Sequence, residues 1–246
     1  MSALVPLPLS EQIAARRSEQ IDWAQVENDL DANGFAVIGE LLTETECRDL
    51  ARLYSIDEGF RSRVVMARHG FGRGEYKYFS YPLPPLIADL RSAIYPRLAS
   101  IANRWARLSG SHERYDDDHA GFLERCHQAG QTRPTPLLLD YGPGDFNRLH
   151  QDIYGDLVFP LQIAVLLSRP GEDFTGGEFV LTEQRPRLQS KASVVPLRRG
   201  DAVVFPVRDR PAPGTRGYSR VTMRHGVSDV RAGRRRTLGL IFHDAR

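Results

Sequence analysis

The feature that most constrains the fold is the regular spacing of short β-prone runs after residue 135. Each run is rich in apolar or β-branched residues, and turn clusters such as Gly142-Pro143-Gly144-Asp145 separate one run from the next. No helical periodicity fills the intervals, and this pattern favours an all-β sandwich or barrel. The predicted strands are Pro136–Asp140, Val158–Ser168, Gly177–Thr182, Lys191–Leu197, Ala202–Pro206, Thr222–His225 and Arg236–Phe242.

The first 135 residues carry a different pattern. Apolar side chains recur at helical spacing over residues 10–32, with Gly34 ending that helix, and again from about Leu86 to Leu108. Between them, Phe35–Leu42 predicts a short strand. Thr43-Glu44-Thr45-Glu46 has the form of a capping box that begins a further helix.

The two halves together predict a fold that is mainly β with some α. We expect a single domain over residues 1–246, which is a usual length for one core with an added layer. In this domain residues 1–135 form a helical support with contributing strands. Residues 136–246 form a jelly roll, or double-stranded β-helix, that carries the catalytic core.

Composition predicts a cytoplasmic protein. Apolar residues make up 41% of the chain and charged residues 26%, as in ordinary globular proteins. No apolar run reaches the length of a membrane span, and the N-terminus does not have the form of a signal peptide. Cys47 and Cys126 are too few and too far apart for a disulfide framework or a zinc site. We therefore expect the reducing cytoplasm and no membrane association.

Positive charge is concentrated in the last quarter of the chain, although the net charge is only +2. From Arg185 to the end there are fifteen Lys or Arg residues and four Asp or Glu residues. Arginine presents a planar fork that fits carboxylates and phosphates. Two interpretations remain open: a solvated basic surface, and a face that meets an anionic partner.

A glycine-rich stretch, Arg68–Tyr81, interleaves basic and aromatic residues in the sequence RHGFGRGEYKYFSY. One interpretation is an ordinary hairpin at the edge of a sheet. The other is a surface whose rings stack on a flat substrate while its cations meet phosphate. Together with the basic last quarter of the chain, this stretch mildly favours an anionic or nucleic-acid substrate.

A short motif, His150-Gln151-Asp152, indicates a metal site. In an extended strand the side chains of His150 and Asp152 project to the same face, so both can hold one ion. The best third ligand is His225. Two histidines and one carboxylate leave three positions of an octahedral ion open, which is the pattern of non-haem Fe(II) oxygenases.

Three further histidines, at positions 112, 119 and 127, lie in the polar segment 109–135. No two of them have the spacing that would place a pair beside a carboxylate in the manner of a zinc site. We therefore predict that this segment is a helical surface and that it holds no metal.

Several motifs, in this order along the chain, resemble the Fe(II)/2-oxoglutarate-dependent dioxygenases, and within them the prolyl-4-hydroxylase-like branch. The resemblance covers about 110 residues. The matching pieces are Tyr141-Gly142-Pro143-Gly144-Asp145-Phe146, His150-Gln151-Asp152, Thr175-Gly176-Gly177-Glu178-Phe179, Gly200-Asp201-Ala202-Val203-Val204-Phe205, His225-Gly226-Val227 and Gly233-Arg234-Arg235.

The resemblance implies the cofactors and the residues that bind them. His150, Asp152 and His225 are the catalytic metal ligands for Fe(II), with 2-oxoglutarate and O₂ as cosubstrates and ascorbate as reductant. Arg235 is the expected anchor for the far carboxylate of 2-oxoglutarate. The residues expected beside that cosubstrate are Tyr141 and Gln162, with Thr237 on the same face of the strand as Arg235.

The position of the cosubstrate arginine stays open among Arg234, Arg235 and Arg236. Strand alternation excludes both neighbours if Arg235 faces inward, but a slip of one residue reverses the assignment. A second expectation concerns the 73 residues that separate Asp152 from His225, a gap longer than in compact family members. We expect residues 208–220 to absorb the excess as a loop.

The function implied is hydroxylation of a substrate C–H bond with release of succinate and CO₂. The chain also resembles a bacterial oxygenase group linked to oxidative demethylation of alkylated nucleic acid. The alternatives are a prolyl, peptidyl or small-molecule hydroxylase of the same chemistry, a cupin-like jelly roll that is not an oxygenase, and a binding module without turnover. Cupins usually present H-x-H followed by Glu, and Asp152 counts against that pattern.

Overall fold

The protein is described here by a computed structural model that covers residues 9–214 and 217–246. None of the helices in these ranges is long and apolar enough to cross a membrane. The described α-helices are α1 (Leu9–Gln20), α2 (Trp23–Asn33), α3 (Glu44–Leu53), α4 (Pro85–Leu108) and α5 (His119–Gln128).

The strands are short, and most lie after residue 135. They are β1 (Ala36–Ile38), β2 (Phe60–Val65), β3 (Gly72–Arg73), β4 (Glu75–Phe79), β5 (Leu137–Tyr141), β6 (Phe146–His150), β7 (Leu161–Leu166), β8 (Phe174–Gly176), β9 (Phe179–Gln184), β10 (Lys191–Val195), β11 (Ala202–Pro206), β12 (Asp209–Gly214), β13 (Gly217–Val227), β14 (Val230–Gly233) and β15 (Arg235–Ile241).

Two antiparallel sheets form the body of the molecule. The larger has the order β1-β11-β7-β15-β5-β4-β2, and the smaller has the order β10-β9-β13-β6-β3 with β12 paired to β13. Strands β5, β7, β11 and β15 of the larger sheet alternate along the chain with β6, β9, β10 and β13 of the smaller. This winding is the double-stranded β-helix, so the predicted jelly roll is confirmed.

The larger sheet is buried on both faces. On β7 the side chains of Ile163 and Val165 join a core cluster with the buried side of α4, while Ala164 and Leu166 pack with residues of the smaller sheet. Because successive strand residues point to opposite faces, one strand serves both cores. The helices therefore cover one face of the larger sheet and leave the other face to the jelly-roll interior.

Residues 1–135 contribute strands as well as helices. Strand β1 pairs with β11, β4 pairs with β5, and β3 pairs with β6. The assignment of the whole chain to one domain, divided at residue 135 into support and core, stays a prediction.

The prediction of one helix over residues 10–32 was wrong, because α1 and α2 are separate. The carboxylate of Asp22 accepts a hydrogen bond from the backbone N–H of Gln25 at 3.0 Å, and this cap begins α2. Gly34 ends α2 in the left-handed conformation, with φ of 79°, as predicted. The capping box of Thr43 and Glu46 is confirmed at the start of α3.

The interpretation of segment 109–135 as helical surface was right only in part. Helix α5 occupies its centre, and His127 is exposed, but His119 is 4% exposed. Its Nε2 atom lies 2.9 Å from the carbonyl oxygen of Phe242, and burial lowers the pKa of the His119 imidazole to about 3. His119 is a neutral core residue.

The loop predicted over residues 208–220 was also wrong in its described part. Strands β12 and β13 pair from Asp209↔Thr222 to Gly214↔Gly217, and residues 215 and 216 lie outside the described ranges. Ala212, Val221 and Met223 form a small buried cluster under this ribbon. Its polar sequence hid alternating apolar positions, and those positions fix the register.

Candidate metal centre

Three side chains meet between β6 and β13, the strands whose register places His225 opposite His150. The Nε2 atom of His225 lies 3.1 Å from Oδ2 of Asp152, and Nε2 of His150 lies 3.4 Å from Oδ1. The ligand atoms of the three residues all lie within 4.8 Å of one another. Among the described residues, these three form the group of potential metal-binding side chains that lie close enough together to hold an ion.

Asp152 reaches this cluster from outside a strand, contrary to the alternation expected from the sequence. Strand β6 ends at His150, and the next residues are irregular. The side-chain amide of Gln151 donates to the backbone oxygens of Met223 at 2.9 Å and Arg208 at 3.2 Å. These bonds pin the segment between the two ligands to the neighbouring ribbon.

Hydrogen bonds orient two of the three ligands. Nδ1 of His150 lies 2.7 Å from the carbonyl oxygen of Arg148, so this nitrogen carries the proton and Nε2 presents its lone pair to the cluster. The hydroxyl of Tyr154 donates to Oδ1 of Asp152 at 2.8 Å. Tyr154 was not identified from the sequence. A search for a hydrogen-bond donor close to Asp152 in the chain would have found it, because Tyr154 lies two residues later.

The pKa directions of Asp152 and His225 suit ligands that bind a cation. Burial opposes ionisation of Asp152, but charge interaction with His225 and hydrogen bonds from both histidines lower the pKa of this carboxyl well below its usual value. Burial and the neighbouring His150 lower the pKa of His225. Burial also acts against the charge of His150, but the hydrogen bond with Asp152 raises the pKa of that imidazole. The carboxylate is therefore ionised at neutral pH.

A cavity of about 290 Å³ extends from these ligands into the jelly roll. Arg235 lies in its wall and is 2% exposed. Its Nη1 atom donates to the hydroxyl of Thr237 at 2.6 Å, and its guanidinium lies 5.7 Å from the ring centre of Tyr141. Burial lowers the pKa of the Arg235 guanidinium to about 10, so it keeps its charge at neutral pH.

Arg235 has no carboxylate partner among the described residues, and its Nε atom is buried without a hydrogen bond. Its two neighbours in the sequence differ. Arg236 donates to Oδ1 of Asp140 at 2.8 Å, and Arg234 donates to both oxygens of the same carboxylate. Asp140 is 3% exposed on the opposite face of the sheet. Strand alternation thus places Arg235 in the cavity and directs both neighbours to Asp140.

Gly177 makes room for the Arg235 side chain. A Cβ atom at position 177 would lie 2.9 Å from Cδ of Arg235 and 2.9 Å from Cγ2 of Val230, and φ of Gly177 is +62°. Position 177 therefore requires glycine for two reasons. The sequence motif Thr175-Gly176-Gly177 acquires a physical function here, as a cradle for the buried cation.

The remaining predicted site residues also line this cavity. Tyr141 is fully buried, and its hydroxyl accepts a hydrogen bond from Nδ2 of Asn147 at 3.3 Å. Gln162 is 3% exposed and its Nε2 atom has no partner among the described residues. Thr237 is 4% exposed. The cavity therefore presents several donors that the protein itself leaves free.

The stretch Arg68–Tyr81 contributes to both sheets and to the cavity wall. It contains β3 and β4, which belong to different sheets, so it is not a simple hairpin. Phe71 and Tyr76 line the cavity. The sequence pattern singled out the stretch but did not identify these two residues as neighbours of the metal ligands.

Comparison with known proteins gives a family. Residues 74–245 match the model of a family described as "Oxygenase, catalysing oxidative methylation of damaged DNA". Proteins of Mycobacterium tuberculosis, from the strains CDC 1551 and H37Rv and each named as uncharacterized, are 50% identical to this chain over 167 residues. That alignment covers 68% of this chain and 72% of each relative.

Solved structures share the fold. A prolyl-4-hydroxylase of Pseudomonas putida has a TM-score of 0.54 at 19% identity and covers 91% of this chain and 99% of its own. A prolyl 4-hydroxylase of Phytophthora capsici has a TM-score of 0.52 at 16% identity, covering 96% of this chain and 66% of its own. At these identities the likeness supports the jelly-roll architecture.

Proposed function

The chain belongs to this family of oxygenases, and we propose that it is an Fe(II)- and 2-oxoglutarate-dependent dioxygenase that oxidatively demethylates alkylated DNA. The family membership favours an oxygenase over the cupin-like and non-catalytic alternatives. The residues of the cavity support the metal and the cosubstrate, and the family description supports the substrate.

The donor set fits Fe(II). His150, Asp152 and His225 offer two imidazole nitrogens and a carboxylate, the facial combination of non-haem Fe(II) oxygenases. Nε2 of each histidine faces the Asp152 carboxylate, which is ionised. No other acidic side chain lines the cavity in the described part of the chain, so these three residues would hold the metal.

The observation that carries the proposal is the buried, unpaired guanidinium of Arg235 in the same cavity. A buried charge without a partner is costly to a folded protein. An anionic ligand that enters the cavity removes this cost, and a planar carboxylate matches the guanidinium fork. A dicarboxylate that binds the metal at one end and Arg235 at the other satisfies both ends of the cavity.

When bound, Fe(II) with 2-oxoglutarate and O₂ supplies an oxidant that hydroxylates a C–H bond while 2-oxoglutarate becomes succinate and CO₂. Arg235 and Thr237 anchor the far carboxylate, and Tyr141 and Gln162 offer further hydrogen bonds to the cosubstrate. The rings of Phe205 and Phe179 lie 4.7 and 6.1 Å from the imidazole of His225 and exclude water from it.

Alkylated DNA is the substrate that the family description supports. Hydroxylation of an N-methyl carbon gives an N-hydroxymethyl group. This group breaks at its C–N bond to release formaldehyde, with the proton of the hydroxyl passing to the base nitrogen. Oxidation therefore removes the methyl group and restores the base.

Anaerobic titration tests the metal and cosubstrate together. Fe(II) and 2-oxoglutarate added to the protein should produce a visible charge-transfer band, and His150→Ala or Asp152→Ala should abolish it. His112→Ala, which changes an exposed histidine outside the cluster, is the matched control and should keep the band. If the parent protein gives no band, or if the cluster variants bind Fe(II) as tightly as the parent, the proposal is wrong.

Turnover tests the substrate. Mass spectrometry of methylated oligonucleotides should show loss of a methyl group in step with succinate release. Proline-containing peptides, offered under the same conditions, should remain unchanged. A gain of one oxygen atom on the peptides, with the oligonucleotides intact, would instead assign the enzyme to the peptidyl hydroxylases.

A further inference from the structure

Phe71 lies at the mouth of the cavity and is 47% exposed although it is a large apolar residue. The ring of His69 stacks on it, with centroids 5.3 Å apart and planes 22° apart. Its backbone is fixed, because its N–H donates to the oxygen of Met66 at 3.2 Å and its oxygen accepts from the N–H of Arg148 at 2.8 Å. The molecule thus holds an aromatic plate in solvent beside the metal ligands.

Three arginines, which we name the rim, lie on the chain segments next to Phe71: Arg68, Arg73 and Arg148. Arg68 belongs to the short turn Met66–His69 just before Phe71, and Arg73 pairs with Phe146 across β3 and β6. Arg148 is hydrogen-bonded to Phe71 through the backbone. All three side chains are exposed, and none forms an ion pair within the described residues.

Two acidic side chains that lie close to the rim in the sequence interact with groups other than the rim. The carboxylate of Glu75, on the strand that follows the rim, binds Arg63 at 2.7 Å. The carboxylate of Asp145, just before β6, accepts from the backbone N–H of Gly142 at 2.8 Å. No rim arginine is paired with a carboxylate among the described residues, so a polyanion is the complementary partner.

We infer that the rim binds the phosphodiester backbone of a DNA strand and that Phe71 stacks on a base at the cavity mouth. The inference rests on the proposed function for its substrate, and it adds the surface by which that substrate is held. Exposed arginines beside an aromatic plate are the combination that binds single-stranded nucleic acid, since every base has a face that can stack. The target base then enters the cavity while its neighbour stays on Phe71.

Salt dependence of DNA binding tests the rim. Binding of a short, unmodified, fluorescent single-stranded oligonucleotide is followed by anisotropy at several salt concentrations. In the variant Arg68→Gln, Arg73→Gln, Arg148→Gln, affinity should fall about tenfold or more. The slope of log affinity against log salt should become shallower by about 2, since each lost phosphate contact on a single strand removes about 0.7 from that slope.

A matched control removes three exposed arginines of the helical layer: Arg16→Gln, Arg97→Gln, Arg107→Gln. It changes the net charge by the same amount and should leave the slope near that of the parent. Equal loss of affinity in the two triple variants would mean that net charge alone attracts DNA, and the inference would be overturned. A polyglutamate that displaces the oligonucleotide as well as unlabelled DNA does would overturn it too.

Phe71→Ala tests the stacking contact separately. It should weaken binding of the oligonucleotide about tenfold but leave binding of an abasic strand of the same length unchanged, because the abasic strand keeps its phosphates and lacks the bases. Equal weakening for both strands would overturn the role of Phe71. The melting temperature of each variant should match that of the parent, and folding is checked in this way.

These results separate the rim from the proposed chemistry. The charge-transfer band with Fe(II) and 2-oxoglutarate should be unchanged in every rim variant, because the rim lies outside the cosubstrate anchor. A parent protein that gives the band but does not bind DNA refutes the rim and leaves the oxygenase. A protein that binds DNA through the rim but gives no band supports the rim and refutes the proposed cofactors.

Discussion

Three arginines are among the largest fully buried side chains of the described protein, and they are held in two different ways. Arg91 lies 3.4 Å from the carboxylate of Asp244, and Arg210 lies 2.5 Å from the carboxylate of Glu183. Arg210 also donates to the backbone oxygen of Asp31 at 2.8 Å. Arg235 has the hydroxyl of Thr237 and the face of Tyr141, but no carboxylate among the described residues. The first two are neutralised by the protein itself, and the third is not.

This difference predicts that the first two arginines are structural and that the third binds a ligand. The desolvation of a buried ion pair costs about as much free energy as the attraction between its charges returns. Both members are needed chiefly because removal of one leaves the other buried without a partner. We therefore expect Arg91 and Arg210 to be needed for the stability of the folded protein. Arg235 contributes little to the fold and is best understood as half of an ion pair that a ligand completes.

The largest effect is expected where a structural pair is broken. Asp244→Asn leaves Arg91 buried without a carboxylate and should lower the free energy of unfolding by about 3 to 5 kcal/mol. Urea denaturation measures this. The control Asp156→Asn removes the partner of Arg246 in an exposed pair and should change stability by less than about 1 kcal/mol. Similar losses in the two variants would refute the distinction between the pairs.

The second effect concerns Arg235. Arg235→Met should weaken 2-oxoglutarate binding about 100-fold, since a bidentate charge-assisted contact is worth about 3 kcal/mol or more. The free energy of unfolding should stay the same or rise, because an unpaired buried charge is removed. Anaerobic titration and denaturation measure the two quantities.

Arg234→Met, at the position just before β15, is the matched control for Arg235→Met. Arg236 remains on Asp140, so both binding and stability should change little. If the two variants bind 2-oxoglutarate equally, or if Arg235→Met unfolds as readily as Asp244→Asn, Arg235 is a structural residue after all.

A smaller effect is expected at the glycine that borders the functional arginine. Gly177→Ala should weaken 2-oxoglutarate binding about tenfold, or about 1.4 kcal/mol, because the new methyl group displaces the Arg235 side chain. Gly171 is the control, since it has a similar φ of +83° but no heavy atom within 4 Å of the place where a Cβ atom would lie. Gly171→Ala should lose stability to backbone strain and keep its affinity; equal affinities in both alanine variants would exclude a cradle.

The last effect is absent at neutral pH and concerns two buried histidines, His119 and His243, that remain uncharged in the folded protein. Burial lowers the pKa of His119 to about 3 and that of His243 to about 4. The unfolded chain takes up protons near pH 6.5 and the folded chain does not, so stability is complete above that pH. It then falls as pH drops toward 4, by about 1.4 kcal/mol per pH unit for each histidine.

His119→Gln checks this pH dependence. Glutamine can keep a hydrogen bond to the oxygen of Phe242 but does not titrate. Denaturation at several pH values between 6.5 and 4 should give a shallower slope for the variant than for the parent. An unchanged slope would show that His119 already binds a proton in the folded state.

The sequence predicted the jelly roll because strand alternation and turn chemistry are local properties. The spacing of apolar residues located most of the long strands, and the capping box located α3. Short strands such as β8 and β14 were missed because three or four residues carry too little periodicity. The ribbon of β12 and β13 was missed because proline and arginine masked its alternation.

The structure brings the predicted site residues to one cavity, but by a geometry that the sequence did not predict. The motif His150-Gln151-Asp152 pointed to the cluster, yet Asp152 arrives from an irregular segment that Gln151 fastens to β13. The choice among three consecutive arginines depended on Asp140, which lies far earlier in the chain and carries no local signal. Tyr154 and Phe71 were missed because neither belongs to a motif that marks it as a neighbour of the metal ligands.

The ion pairs of Arg234 and Arg236 with Asp140 have a consequence for the register of β15. If β15 shifted by one position, Arg234 and Arg236 would point into the cavity and Arg235 would point away from it. Asp140 would then be buried without a cationic partner. Such an arrangement would be too unstable to persist. The ion pairs with Asp140 therefore select the strand register that places Arg235 in the cavity, because a shifted register would destabilise the folded protein.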